Sequence, residues 1–192
     1  FTPMSVAPPT LEPVAEVRLP SGDRVDGLPR IALLDGLPFP NHDALSGRLV
    51  VDDPDGLAES YPLSSRNHGT AMASLIVQGD LSIGGEPLDR PLYVRPIMRP
   101  HEFAAGYEQI LPNRLLTDLL HQAIKRIVEG EGGRAAVAPS VRIVNLSIGA
   151  QARALVRRMS PVGRLLDWLA HSYNLLFIVS AGNHSDPIII PA

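Results

Sequence analysis

The sequence predicts an α/β fold of three layers, with a mostly parallel sheet and crossover helices. Three observations predict it. Short apolar runs alternate with stretches of helical periodicity, the order that βαβ units impose. Each run is continuously apolar, as strands covered on both faces are. The 192 residues, 45% hydrophobic and 19% charged, suffice for one domain with a real core and fall outside the composition of disordered chains.

The elements follow in order. Proline accounts for 19 residues, eight of them among the first forty, about twice the usual ~5% share. With Pro8-Pro9 and the turn signal Ser21-Gly22-Asp23, and without helical periodicity, residues 1–29 read as a Pro-rich arm or linker. The compact part begins near Arg30. Ile31–Leu34 reads as a buried strand, Leu49–Val51 as a short one, and Leu92–Met98, Val141–Leu146 and Leu175–Val179 as three more. Gly69–Gln78, rich in small residues such as Ala71, Ala73 and Ser74, reads as a helix suited to close packing. Leu111, Leu115, Leu116, Leu119, Leu120, Ala123, Ile124, Ile127 and Val128 keep the three-four spacing of an amphipathic helix that stops at Gly130. Ser160-Pro161 reads as an N-cap followed by a first-turn proline, opening a helix that buries Leu165, Leu166 and Leu169 and ends near Asn174. Residues 80–92 and 99–113 read as inserted loops.

Composition narrows the chemistry. The balance of 17 Lys and Arg against 20 Asp and Glu, net −3, gives no electrostatic footprint for nucleic acid or an anionic membrane. No run of eighteen uncharged apolar residues exists, so neither a membrane nor nucleic acid is an expected partner. The absence of cysteine removes disulfides, thiolate metal sites and cysteine nucleophiles together. The six histidines are scattered, with no pair at helical ligand spacing beside a carboxylate, so no metal and no cofactor is expected. A nucleotide site is disfavoured because Gly130-Glu131-Gly132-Gly133 follows a helix, where a phosphate-cradling loop follows a strand.

In a doubly wound sheet the ligand groove lies at the carboxyl ends of the strands. Asp35-Gly36 ends the first run, Asn145-Leu146-Ser147-Ile148-Gly149 the fourth and Ser180-Ala181-Gly182-Asn183 the fifth, while His68 opens the small-residue helix. Singly, Asp35 reads as a strand-end turn, His68 as a helix-start residue, and the two glycine-containing segments as ordinary loops. Jointly, in order and at the same end of their elements, they read as a site.

The segments IALLDGLPFPNHDAL (Ile31–Leu45), NHGTAMAS (Asn67–Ser74), VRIVNLSIG (Val141–Gly149) and LFIVSAGN (Leu176–Asn183) resemble the successive signature blocks of the subtilases, the subtilisin-like serine proteases. The resemblance runs from about Arg30 to the end of the chain, and its His-Gly-Thr block is the most specific. It implies a subtilisin-like fold that is incomplete at the C-terminus, with residues 30–192 the N-terminal part of a peptidase domain. It implies that Asp35 is the triad carboxylate, His68 the general base and Asn183 the side-chain donor to the oxyanion. It further implies that Ser147, Ile148 and Gly149 form the extended segment that pairs with substrate backbone. Protein or peptide substrates and the remainder of its own catalytic domain are then the expected partners.

The family's nucleophile is absent. The order is Asp, His, Ser, and no Gly-Thr-Ser-x-Ala block occurs here. The chain, which starts at Phe1 and continues only nine residues past Asn183, therefore reads as part of a longer serine endopeptidase, inactive alone, with Ile188–Ile190 on an unpartnered apolar edge. A catalytically inactive relative kept as a binding or scaffold module is the alternative. Two departures stand out. Gly36-Leu37 replaces the hydroxyl residue and glycine that follow the aspartate in the family pattern, and Ala44 stands where many secreted members place a calcium-binding aspartate, with Asp43 next door. The latter, with no targeting segment, favours a bacterial cytoplasmic location over a secreted one.

Overall fold

The computed structural model describes residues 24–103, 107–148 and 159–180. Most of the Pro-rich arm, Gly149, Asn183 and Ile188–Ile190 lie outside the described residues. Seven strands are present among those described: β1 (Ile31–Asp35), β2 (Leu49–Val51), β3 (Leu92–Pro96), β4 (Met98–Pro100), β5 (Glu108–Ile110), β6 (Ile143–Leu146) and β7 (Leu176–Val179). The helices are α1 (Asn67–Gln78), α2 (Leu116–Val128) and α3 (Pro161–Tyr173), with two short 3-10 turns, Leu57–Ser60 and Leu63–Ser65.

Five strands form a parallel sheet in the order β2-β3-β1-β6-β7. Alternation along β1 divides the core between its two faces. Ala32 and Leu34 pack with Leu119, Leu120, Ala123, Ile124 and Ile127 of α2 and Leu169 of α3. Leu33 packs with Ala73 and Val77 of α1, and with Leu45, Leu92 and Val94. The sheet therefore lies between α1 on one side and α2 with α3 on the other, the predicted three-layer α/β class. None of these helices is long and apolar enough to cross a membrane.

Local chemistry sets the helix ends. Ser160 accepts the Gly163 backbone N–H at 3.0 Å, Pro161 opens α3, and Asn174 closes it in the left-handed region at φ 53°. The expected helix from Leu111 instead begins at Leu116. Pro112 disfavours helical geometry at the residue before it, and Leu115 is extended at ψ 136°. At the other end α2 stops before Gly130, whose φ of 100° and close approach to the Arg134 carbonyl exclude a side chain.

Three further expectations need correcting. Only β3 is buried throughout, and β1 at every residue but Ile31. Val50 and Val51 of β2, and Leu176, Ile178 and Val179 of β7, are exposed, because these are the outermost strands of the described sheet. The run Leu92–Met98 is interrupted at Ile97, since Pro96 has no N–H to continue a ladder. Ile97 N–H bonds to the Asp35 carbonyl at 2.8 Å, and the chain turns out of the main sheet. Residues 99–113 are not simply a loop: β4 and β5 pair antiparallel there, with Pro100 opposite Glu108.

Candidate active site

The carboxyl ends of the parallel strands lie along one edge of the sheet. Asp35 closes β1 there, in register with Pro96, and its side chain is fully buried. Asp35 Oδ1 accepts the Gly36 backbone N–H at 2.6 Å and lies 2.7 Å from His68 Nδ1. His68, in the first turn of α1, is 22% exposed, so the buried nitrogen is held by the carboxylate while the ring reaches solvent. The hydrogen bond to Asp35 raises the imidazole above its ordinary value, outweighing the opposing effect of burial.

Two backbone contacts place α1. A β-carbon on Gly69 would come 2.4 Å from the Gly36 carbonyl oxygen, so only glycine lets the helix start sit against the end of β1. Thr70 then ties the loop after Asp35 to the helix: its hydroxyl accepts the Phe39 N–H at 2.9 Å and donates to the Arg66 carbonyl at 2.6 Å.

On the neighbouring strand, Asn145 and Ser147 lie at the same edge, with the Ser147 hydroxyl 2.5 Å from Asn145 Oδ1. Ser147 and Ile148 continue beyond Leu146, the last paired residue of β6, and the Ile148 side chain turns into the core. Ser180, directly after β7, donates its backbone N–H to the Leu146 carbonyl at 3.2 Å. The structure thus brings Asp35 and His68 into contact and aligns Ser147 and Ile148 along the same edge; Gly149 and Asn183 fall outside the described residues. A concavity lined by Arg24, Gly27, Leu49 and Pro91 lies at the opposite, amino-terminal end of the strands and has no part in this site.

Sequence reasoning missed two residues here. Glu108 of β5 is buried, and an oxygen of it lies within 4.8 Å of an Asp35 oxygen and a His68 ring nitrogen. Tyr61, also buried, donates its hydroxyl to Glu108. Burial, reinforced by the Asp35 carboxylate, pushes the Glu108 carboxyl up to about 8. The signal was Gly36: a β-carbon there would collide with Glu108 and with the Tyr61 hydroxyl. The missing hydroxyl residue therefore marked space already taken from elsewhere in the chain. Asp35, His68 and Glu108 offer one donor atom each at metal-site range, but the direct 2.7 Å contact between Asp35 and His68 is tighter than two ligands of one ion would adopt.

A family model described as the subtilase family matches residues 29–192. No curated protein and no solved structure gives a significant match.

Proposed function

The chain belongs to the subtilase family, a family of serine peptidases, and from that premise we propose that it supplies the Asp–His half of an endopeptidase triad. The observation that carries the reading is the 2.7 Å contact between Asp35 Oδ1 and His68 Nδ1, with the carboxylate fully buried and the imidazole partly open. A carboxylate only accepts, so Nδ1 carries the proton and Nε2 is left as the base. Nε2 takes the proton of a serine hydroxyl as that oxygen attacks the scissile carbonyl, then returns it to the leaving amine. Asp35 fixes the tautomer and stabilises the imidazolium between those two transfers.

The serine is supplied by sequence following Ala192, in a Gly-Thr-Ser-x-Ala block. Asn183 donates to the oxyanion, and Ser147–Gly149 add a strand to an extended protein or peptide substrate, so that main-chain hydrogen bonds hold it across the site. Residues 30–192 are then one part of a catalytic domain preceded by an arm, and this part does not hydrolyse peptides by itself.

Labelling of the full-length protein with a fluorophosphonate tests the reading. Wild-type protein should label and His68→Ala should not. A folded full-length protein that fails to label, or one with another residue at the serine position, would instead be the inactive binding relative.

A further inference from the structure

Asp35 Oδ1 is fully engaged, accepting from Gly36 N–H and from His68. Its second oxygen, Oδ2, is buried without a donor among the described residues. A buried carboxylate oxygen left without a donor is destabilising, and the residue after Asp35, glycine, has no side chain to relieve it. The buried polar groups that fill the space over Gly36 are Glu108 and Tyr61. Tyr61 donates to Glu108 Oε1. That satisfies Oε1, and a Glu108 oxygen lies within 4.8 Å of an Asp35 oxygen, a range at which a protonated Glu108 can serve the aspartate.

We propose that Glu108 is a positioning residue for the Asp35–His68 pair: it remains a neutral carboxylic acid whose O–H donates a hydrogen bond to Asp35, replacing the missing neighbouring hydroxyl. The ionisable groups facing it are Tyr61, Asp35 and, beyond Asp35, His68. Arg99, on the paired strand, directs Nη2 to Glu102 at 2.6 Å. Two facing carboxyl groups at this range cannot both ionise cheaply, and Glu108, raised by its burial and by the Asp35 charge, keeps the proton. The full hydrogen-bond chain is Tyr61 to Glu108, Glu108 to Asp35, and His68 to Asp35.

This rests on the catalytic reading above, so the test has one arm that needs no hydrolysis. The His68 ring resonance is followed against pH in full-length wild type and Glu108→Gln. The wild type should show a second step near pH 8, where Glu108 ionises, and Glu108→Gln should lack it. Identical single-step curves would overturn the proposal. In the second arm, Glu108→Gln keeps a neutral donor and an acceptor for Tyr61, so kcat at neutral pH should stay within about threefold of wild type. Glu108→Leu should lower kcat about tenfold or more with KM unchanged, the scale of losing a hydrogen bond to a charged group. A fully active Glu108→Leu, or a Glu108→Gln as impaired as Glu108→Leu, would overturn the role. If Glu108→Leu fails to fold, the titration decides. A two-step titration in a wild type that never hydrolyses peptides upholds the Glu108–Asp35 pairing and refutes only the catalytic reading.

Discussion

Gly69 meets Gly36 backbone to backbone, so closely that any β-carbon on Gly69 would stand 2.4 Å from the Gly36 carbonyl oxygen. This contact fixes how far the helix carrying His68 stands from the strand carrying Asp35. Within a helix, glycine to alanine normally gains about 0.5–1 kcal/mol. Here the neighbour is rigid backbone, and forcing the elements apart costs about 1–3 kcal/mol, so the clash wins. Gly69→Ala should therefore lower Tm and sharply reduce fluorophosphonate labelling of the full-length protein. A stabilised, fully labelled variant would refute the contact.

The Asp35–His68 pair makes stability depend on pH with a definite sign. His68 binds its proton more tightly in the folded chain than its ordinary 6.5. Its contribution is complete below that value and is lost as pH rises through the higher folded value. Replacing His68 with Ala should cost more stability at about pH 5.5 than at about pH 9. Urea unfolding at both pH values checks this; an equal cost at each would mean that the imidazole is not held as a charged partner.

The same reasoning for Glu108 gives an opposite lesson about an acid. The folded carboxyl keeps until about pH 8 a proton that the unfolded chain releases near 4.5. Stability from this group is thus full below 4.5 and falls as pH rises, by about 1.4 kcal/mol per pH unit while the two states differ in protonation. Glu108→Gln removes the titration, so its stability relative to wild type should climb by a few kcal/mol between about pH 5 and pH 8. Parallel stability curves for the two proteins would show that Glu108 is ionised in the folded state.

What the sequence reveals of this molecule is what short-range chemistry controls. Ser160, Pro161 and Asn174 act within a turn or two of their own position, and all three are where their residue types predicted. Asp35 and His68 were legible as a pair because each ends or begins an element at the same sheet edge. Glu108 and Tyr61 lie 47 residues apart, and Glu108 sits in a three-residue strand too short to show a period. Nothing local announces their meeting; only the glycine at position 36 hinted at it. Apolar runs likewise identified β2 and β7 as strands, but the run alone does not say which strand ends as an edge.

The last prediction concerns the brace between α2 and the sheet. Arg126 grips Asp52, just after β2, through Nε at 2.8 Å and Nη2 at 2.9 Å, and the Tyr93 hydroxyl adds a third bond at 2.6 Å. Burial works against the Asp52 charge, yet the bonds from Arg126 and Tyr93 outweigh it and hold the carboxyl below its ordinary 3.8. Stability from a depressed acid is present above the unfolded value and lost as pH falls through the folded one. The geometry is bidentate and both side chains are largely buried, at 15% and 13% exposure, so the pair is worth more than a surface ion pair. Asp52→Asn should cost about 1–3 kcal/mol at neutral pH, and the difference from wild type should shrink progressively as pH falls below 3.8. Because α2 packs on the sheet face away from α1, kcat of the full-length protein at neutral pH should change little. A destabilisation that persists undiminished in acid would show that Asp52 acts through packing and not through its charge.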